Sequence, residues 1–375
     1  MITKVLYSVY KTNLSVKKEE TVLIFTDIIS PREIIPANDL CRRERLRDIA
    51  LLTAEIGKSF SKRILYHEYP ATASHGAEPP EEMWGIAFGE KALKELKRAN
   101  LLKPLIEKDI KDNEIKKAES IIEKNKKYSV NVVIALSNYS TSHTRFRDFL
   151  VRICGCRYAS MPLFDISMLE GPMNVDWKNL SKRTKAISKL INKADTVEIK
   201  TPNGTHISMS KRGRPVYSDD GILTKPGSFG NLPAGESFFA PIEGTSNGRL
   251  VLEWAPTHEL GSPIILTVTN GYVEDIIGDD PYADYLRTKL NERQENRNIA
   301  EMGIGTNDRA KRPNNILESE KILGTIHIAF GDNSSFGGVI MTPFHQDYVF
   351  FKPTVKLITK DLKEILLLED GILKL

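Results

Sequence analysis

Two short apolar runs rich in β-branched residues, T-V-L-I-F-T at 21–26 and V-N-V-V-I-A-L at 130–136, constrain this chain most. Runs of this length and composition read as strands buried on both faces, which need helices packed on each side. The intervening sequence supplies them. Helical spacing runs over 39–56 with Gly57 as its stop. A second helix is expected over 79–97, where Pro79, Pro80 and two acids make a favourable first turn. A third, rich in lysine and glutamate, covers 109–127. Strands at 62–66 and 157–161 and a helix at 145–154 complete the pattern. This alternation predicts an α/β N-terminal domain with a mostly parallel sheet.

The texture changes after an amphipathic helix at 176–194. An N-G turn joins 196–200 to 206–210 as a hairpin, and Asn270-Gly271 joins 263–268 to 272–277. Further strands are expected at 248–254, 298–304, 324–330, 355–358 and 364–368, with a helix at 280–297. This predicts a β-rich α+β C-terminal domain, curled or barrel-like. A chain of 375 residues exceeds one ordinary core, so domains of 1–194 and 195–375 are expected.

Composition excludes several classes of function. With 41% hydrophobic and 27% charged residues the chain reads as a globular protein. Its net charge of +4 is small, and basic residues interleave with acids, as in K-D-I-K-D-N-E-I-K-K-A-E, so no nucleic-acid surface is expected. Cys41, Cys154 and Cys156 make no disulfide framework, and C-G-C is too short for a usual zinc knuckle. No run of about 18 apolar residues exists and the first residues lack signal-peptide features, so no membrane partner and a cytoplasmic location are expected. Neither G-x-G-x-x-G nor G-x-x-x-x-G-K-[ST] is present, so the α/β half announces no nucleotide site.

Chemistry concentrates in I-H-I-A-F-G-D-N-S-S-F-G-G-V-I-M-T-P-F-H-Q-D at 326–347. It offers His327, then His345 and Asp347 as an H-x-D pair, a common donor set for a first-row metal. Gly331, Gly337 and Gly338 interrupt the apolar flanks and place the histidines at strand ends beside loops. Glu236 in N-L-P-A-G-E-S-F-F-A-P and Glu301 in I-A-E-M-G-I-G-T-N are isolated acids with no neighbouring lysine. Either is a turn or cap residue, or a buried carboxylate whose cost a metal ion offsets. Glu320, in L-E-S-E-K-I-L-G-T, is a surface helix end or a site residue. His143, in the Ser/Thr-rich loop after the 130–136 strand, is a substrate contact or part of a helix cap formed by Ser142 or Thr144. His67, His75, His206 and His258 read as loop or surface-strand residues.

Taken in order, these motifs resemble the thermophilic-type metallo-aminopeptidases, the aminopeptidase T and aminopeptidase S family, most clearly over 221–351. The resemblance implies metal ligands at Glu236 (N-L-P-x-G-E), His327 (G-T-x-H-x-A-x-G), His345 and Asp347 (H-x-D), with Glu301 a ligand or catalytic acid/base. It also implies a homodimer and two divalent ions of zinc, cobalt or manganese. A peptide or small amide would be the substrate, and a metal-activated water would attack it. Glu301 or Glu320 would then be the general base. One departure is the tyrosine that the family carries shortly after the first histidine. Here that region reads G-D-N-S-S-F, and Tyr348 is the substitute by proximity, a candidate substrate contact. The segment F-G-D-N-S-S-F-G-G…T-P-F-H-Q-D also looks like 2,5-dihydroxypyridine 5,6-dioxygenase, a mononuclear ferrous ring-cleaving enzyme. That likeness implies a histidine at the Glu301 position and no donors at the Glu236 and His327 positions, unlike this chain. The alternatives are therefore an iron dioxygenase or a catalytically inactive metal-binding relative.

Overall fold

The computed structural model describes residues 2–374, apart from 31, 32, 34, 36 and 73. The chain divides into two units, Met1–Asn174 with Gly221–Pro233, and Val175–Asp220 with Ala234–Leu375. This departs from the expected division at 194. The helix Trp177–Ile191 belongs to the second unit, and 221–233 returns to the first.

The first unit holds a five-stranded, wholly parallel sheet in the order β2-β1-β3-β4-β8. Its strands are β1 (Thr21–Ile28), β2 (Arg63–Pro70), β3 (Val132–Ala135), β4 (Arg157–Ser160) and β8 (Phe229–Asn231). β3 and β4 are buried along their whole length, which is why their sequences carry no polar alternation. Helices at Ala37–Gly57 and Asp112–Asn125 match the expected spacing. The helix expected over 79–97 is two, Glu81–Phe88 and Glu90–Arg98. Gly89 breaks it at φ +85°, where a Cβ would stand 2.8 Å from Cβ of Tyr128. Trp84, Phe88, Phe146 and Phe149 pack together in the core beneath.

The second unit carries two open antiparallel sheets in place of the expected curled or barrel-like one. The larger runs β12-β11-β10-β6-β5-β16-β17-β18. Its strands are β5 (Ala194–Lys200), β6 (His206–Ser210), β10 (Asn247–Trp254), β11 (Glu259–Thr269), β12 (Tyr272–Ile277), β16 (Thr354–Thr359), β17 (Glu364–Glu369) and β18 (Ile372–Leu373). The smaller runs β15-β14-β13-β9-β7, with β7 (Tyr217–Asp219), β9 (Glu236–Phe239), β13 (Ile299–Gly305), β14 (Ile326–Gly331) and β15 (His345–Phe350). Both sheets feed one core, in which Leu250 and Ile264 of the larger join Met302, Ile328 and Phe350 of the smaller.

Side chains alternate across a strand, so the smaller sheet has two unlike faces. Met302, Ile304, Ile326, Ile328, Phe330 and Tyr348 turn into the core. Residues one position out of phase turn the other way, and the acids and histidines singled out above are among them. No helix among the described residues is long and apolar enough to cross a membrane.

Candidate metal centre

Strand register brings the five candidate donors onto one face. Glu301 lies opposite Ala329, which lies opposite Asp347; Gly303 is opposite His327, Gly331 opposite His345, and Gly305 opposite Glu236. The positions paired with the donors at these four places are all glycine or alanine. The spacing is compulsory at Gly303, where a Cβ would stand 2.0 Å from Nε2 of His327. Small residues leave the imidazole room to lie across the neighbouring strand.

The donors form two overlapping groups, Glu236–Glu301–His327 and Glu301–His345–Asp347, each with its ligating atoms within 4.8 Å of one another. Glu301 is common to both. Its Oε1 faces Nε2 of His327 at 3.4 Å, and its Oε2 faces Nε2 of His345 at 3.5 Å. Glu236 Oε2 lies 3.3 Å from Nε2 of His327, and Asp347 Oδ2 lies 3.6 Å from Nε2 of His345. Among the described residues, each group contains one histidine. Carboxylate and imidazole donors of this kind suit zinc, cobalt, manganese or iron. Carboxylates gathered in the interior are unfavourable unless cations neutralise them, and the buried lysine beside Glu236 does not reach Glu301 or Asp347, so the residues fit a metal centre.

Electrostatics carry the same message. Burial would lower the histidines, but the facing carboxylates outweigh it, raising His327 to about 9 and His345 to about 10. Burial would raise Glu301, yet its contacts with both imidazoles hold it at about 2. Asp347 is pushed up, chiefly by burial. Ligation of a metal requires neutral imidazole, so binding here would be coupled to proton release.

The glycine-rich segment between His327 and His345 is a buttress. The carbonyl of Asp332 accepts a hydrogen bond from Nδ1 of His345 at 2.7 Å, leaving Nε2 to face Glu301 and Asp347. The Asp332 carboxylate accepts from the backbone of Ser334 (3.2 Å) and Thr342 (3.1 Å). Asn333 accepts from the backbone of Ile340 (2.9 Å) and donates to Glu243 (3.0 Å), which is also paired with Arg214. The motif G-D-N-S-S-F-G-G thus fixes the tautomer and direction of one ligand.

Glu320 is buried beside this cluster, outside both donor groups, and burial raises it to about 8. Next to it stands a residue that sequence reasoning missed. Lys321 is fully buried, with Nζ 2.7 Å from Oε1 of Glu236 and 2.5 Å from Oε1 of Glu320. Burial would lower it, but the two carboxylates outweigh that and hold it protonated. In sequence, E-S-E-K resembles any solvated helix end, and only the turn that folds it inward separates the two. Tyr348 is corrected by its position. It faces the core from the opposite side of β15, with its hydroxyl 3.0 Å from that of Tyr282, and is not brought to the donors. His143 belongs to the first unit, exposed, in the turn before a helix at Arg145–Asp148 that Thr144 caps by accepting from Arg147 N. His206 and His258 are exposed, as expected.

Comparisons with known proteins give the scaffold a lineage. Among solved structures, the chain resembles 2,5-dihydroxypyridine dioxygenase from Pseudomonas putida KT2440, with a TM-score of 0.69 and 18% identity, covering 100% of this chain and 96% of that one. It also resembles wild-type AmpT from Thermus thermophilus, with a TM-score of 0.62 and 15% identity, covering 100% and 99%. At these identities the likeness is one of fold. No curated protein sequence matches. The family model described as NicX: 2,5-dihydroxypyridine 5,6-dioxygenase matches residues 96–365, well over half of the sequence, and the chain belongs to that family.

Proposed function

We propose that this protein is a metal-dependent hydrolase of the aminopeptidase type, acting on peptides or small amides at a dinuclear centre. The observation that carries this reading is Glu301, whose two oxygens face different histidines, so that one carboxylate serves two ligand groups. Shared carboxylates suit paired ions, whereas a ferrous oxygenase of the two-histidine, one-carboxylate kind needs both histidines on one ion. The fold likeness to AmpT, an aminopeptidase, is consistent with it.

Glu236, Glu301, His327, His345 and Asp347 would hold the ions. When bound, paired divalent ions supply an acidified water and polarise the scissile carbonyl. The protein's own part is proton transfer and exclusion of water. With both Glu301 oxygens committed to ligand positions, Glu320 is the neighbouring carboxylate outside both donor groups. In its ionised form, which prevails above about pH 8, it would take the proton of the attacking water and pass it to the leaving amine, held in place by Lys321 at 2.5 Å. A homodimeric assembly remains part of this proposal as the working state.

A second reading, ring cleavage of a dihydroxypyridine by a single iron, is favoured by the family match. Parallel assays separate the two. Aminoacyl amides with Zn2+, Co2+ or Mn2+ should release their N-terminal residue, and Glu320→Gln should reduce turnover at least a hundredfold with the metals retained. Oxygen uptake with 2,5-dihydroxypyridine and Fe2+, without amide cleavage, would replace the hydrolase with the dioxygenase.

A further inference from the structure

The two donor groups have unlike surroundings. Glu236 spends one oxygen on the ammonium of Lys321, 2.7 Å away, and turns only the other toward His327. The lysine is locked where it stands. Its carbonyl accepts from the backbone of Asn307 at 2.8 Å, and the carbonyl of Ile322 presses on Gly305, where a Cβ would stand 2.0 Å away. Gly305 is the register partner of Glu236. The same group has a second weakness: Nδ1 of His327 is buried, and no group among the described residues pairs with it. By contrast, His345 is anchored on the carbonyl of Asp332. Glu301 and Asp347 form no ion pair with a lysine or arginine among the described residues.

We propose that Lys321 is a built-in cation that makes the two metal positions unequal: Glu301–His345–Asp347 fills first and holds tightly, while Glu236–Glu301–His327 binds weakly and exchanges. A fixed positive charge beside a ligand carboxylate repels an incoming divalent ion at short range in a poorly screened interior. Loss of an outer partner for a ligating histidine costs a further 10–100-fold in affinity on the general pattern. The exchangeable position is the one beside Glu320, so occupancy there sets whether the dinuclear centre is complete. This rests on the dinuclear reading above.

The test is titration of metal-free, full-length protein with Co2+, followed by visible absorption and elemental analysis. Wild type is expected to bind in two steps at least tenfold apart. Glu236→Gln should weaken only the second. Lys321→Met should tighten the second step at least tenfold and leave the first within about threefold. Since that variant leaves two buried carboxylates without their cation, Lys321→Met/Glu320→Gln is titrated beside it and should narrow the gap in the same way. If Lys321 merely positions Glu236, removing it would weaken the second step, which overturns the proposal. Two equal steps in wild type would overturn it too and leave the dinuclear reading standing. One equivalent in both wild type and Lys321→Met would overturn both.

Discussion

At the level of single side chains, the facing carboxylates raise both histidines, and a metal bound there would have to displace their protons. Their folded values of about 9 and about 10 lie above the ordinary imidazole value of about 6.5. The sign follows from linkage. Stability from the protonated pairs is fully present below about 6.5 and is lost as pH rises through about 9 to 10. Metal binding requires neutral imidazole, so each ion must expel protons below that window. Calorimetric titration in buffers of different ionisation enthalpy should show net proton release at pH 7, and apparent affinity should rise with pH up to about 9. No proton release at pH 7 would mean that the histidines are not ligands. The clustering of the five candidate donors was legible in the sequence because isolated acids and an H-x-D pair stand out against apolar flanks. Lys321 was not legible, since its neighbours Glu318 and Glu320 make it look solvated, and only the turn after Ser319 carries it inward.

At the level of elements, the site depends on phase. A strand that places Glu301 and His327 on one face must place Met302 and Ile328 on the other, so a one-residue slip would exchange ligands for core. The long strands 299–305 and 326–331 were read within about two residues from their apolar content. β7, β8 and β9 were missed, because three or four residues carry no period. In the sequence β15 stands out only through its H-x-D motif, which carries no direction for Tyr348. Its neighbour Asp347 faces the donors, so alternation sends Tyr348 to the core. Tyr348→Phe is therefore expected to lose one buried hydrogen bond to Tyr282, costing about 1 kcal/mol in denaturant unfolding. Metal content and turnover should be unchanged. A large fall in turnover with intact stability would return Tyr348 to the site.

At the level of the whole molecule, the α/β and β-rich halves were legible from the change of pattern near residue 194, and their true division was not. The stretch 221–233 leaves the second unit to add β8 to the parallel sheet of the first, a long-range pairing with no local signal. The family match and both fold likenesses describe a scaffold found with more than one chemistry, so the outcome turns on the number of ions. Crystals of the metal-loaded protein, measured at the absorption edge of the bound metal, test that directly. Two anomalous peaks about 3.5–4 Å apart, flanking the Glu301 carboxylate, are the expected result for a dinuclear centre. A single peak bound by both His327 and His345 would contradict it.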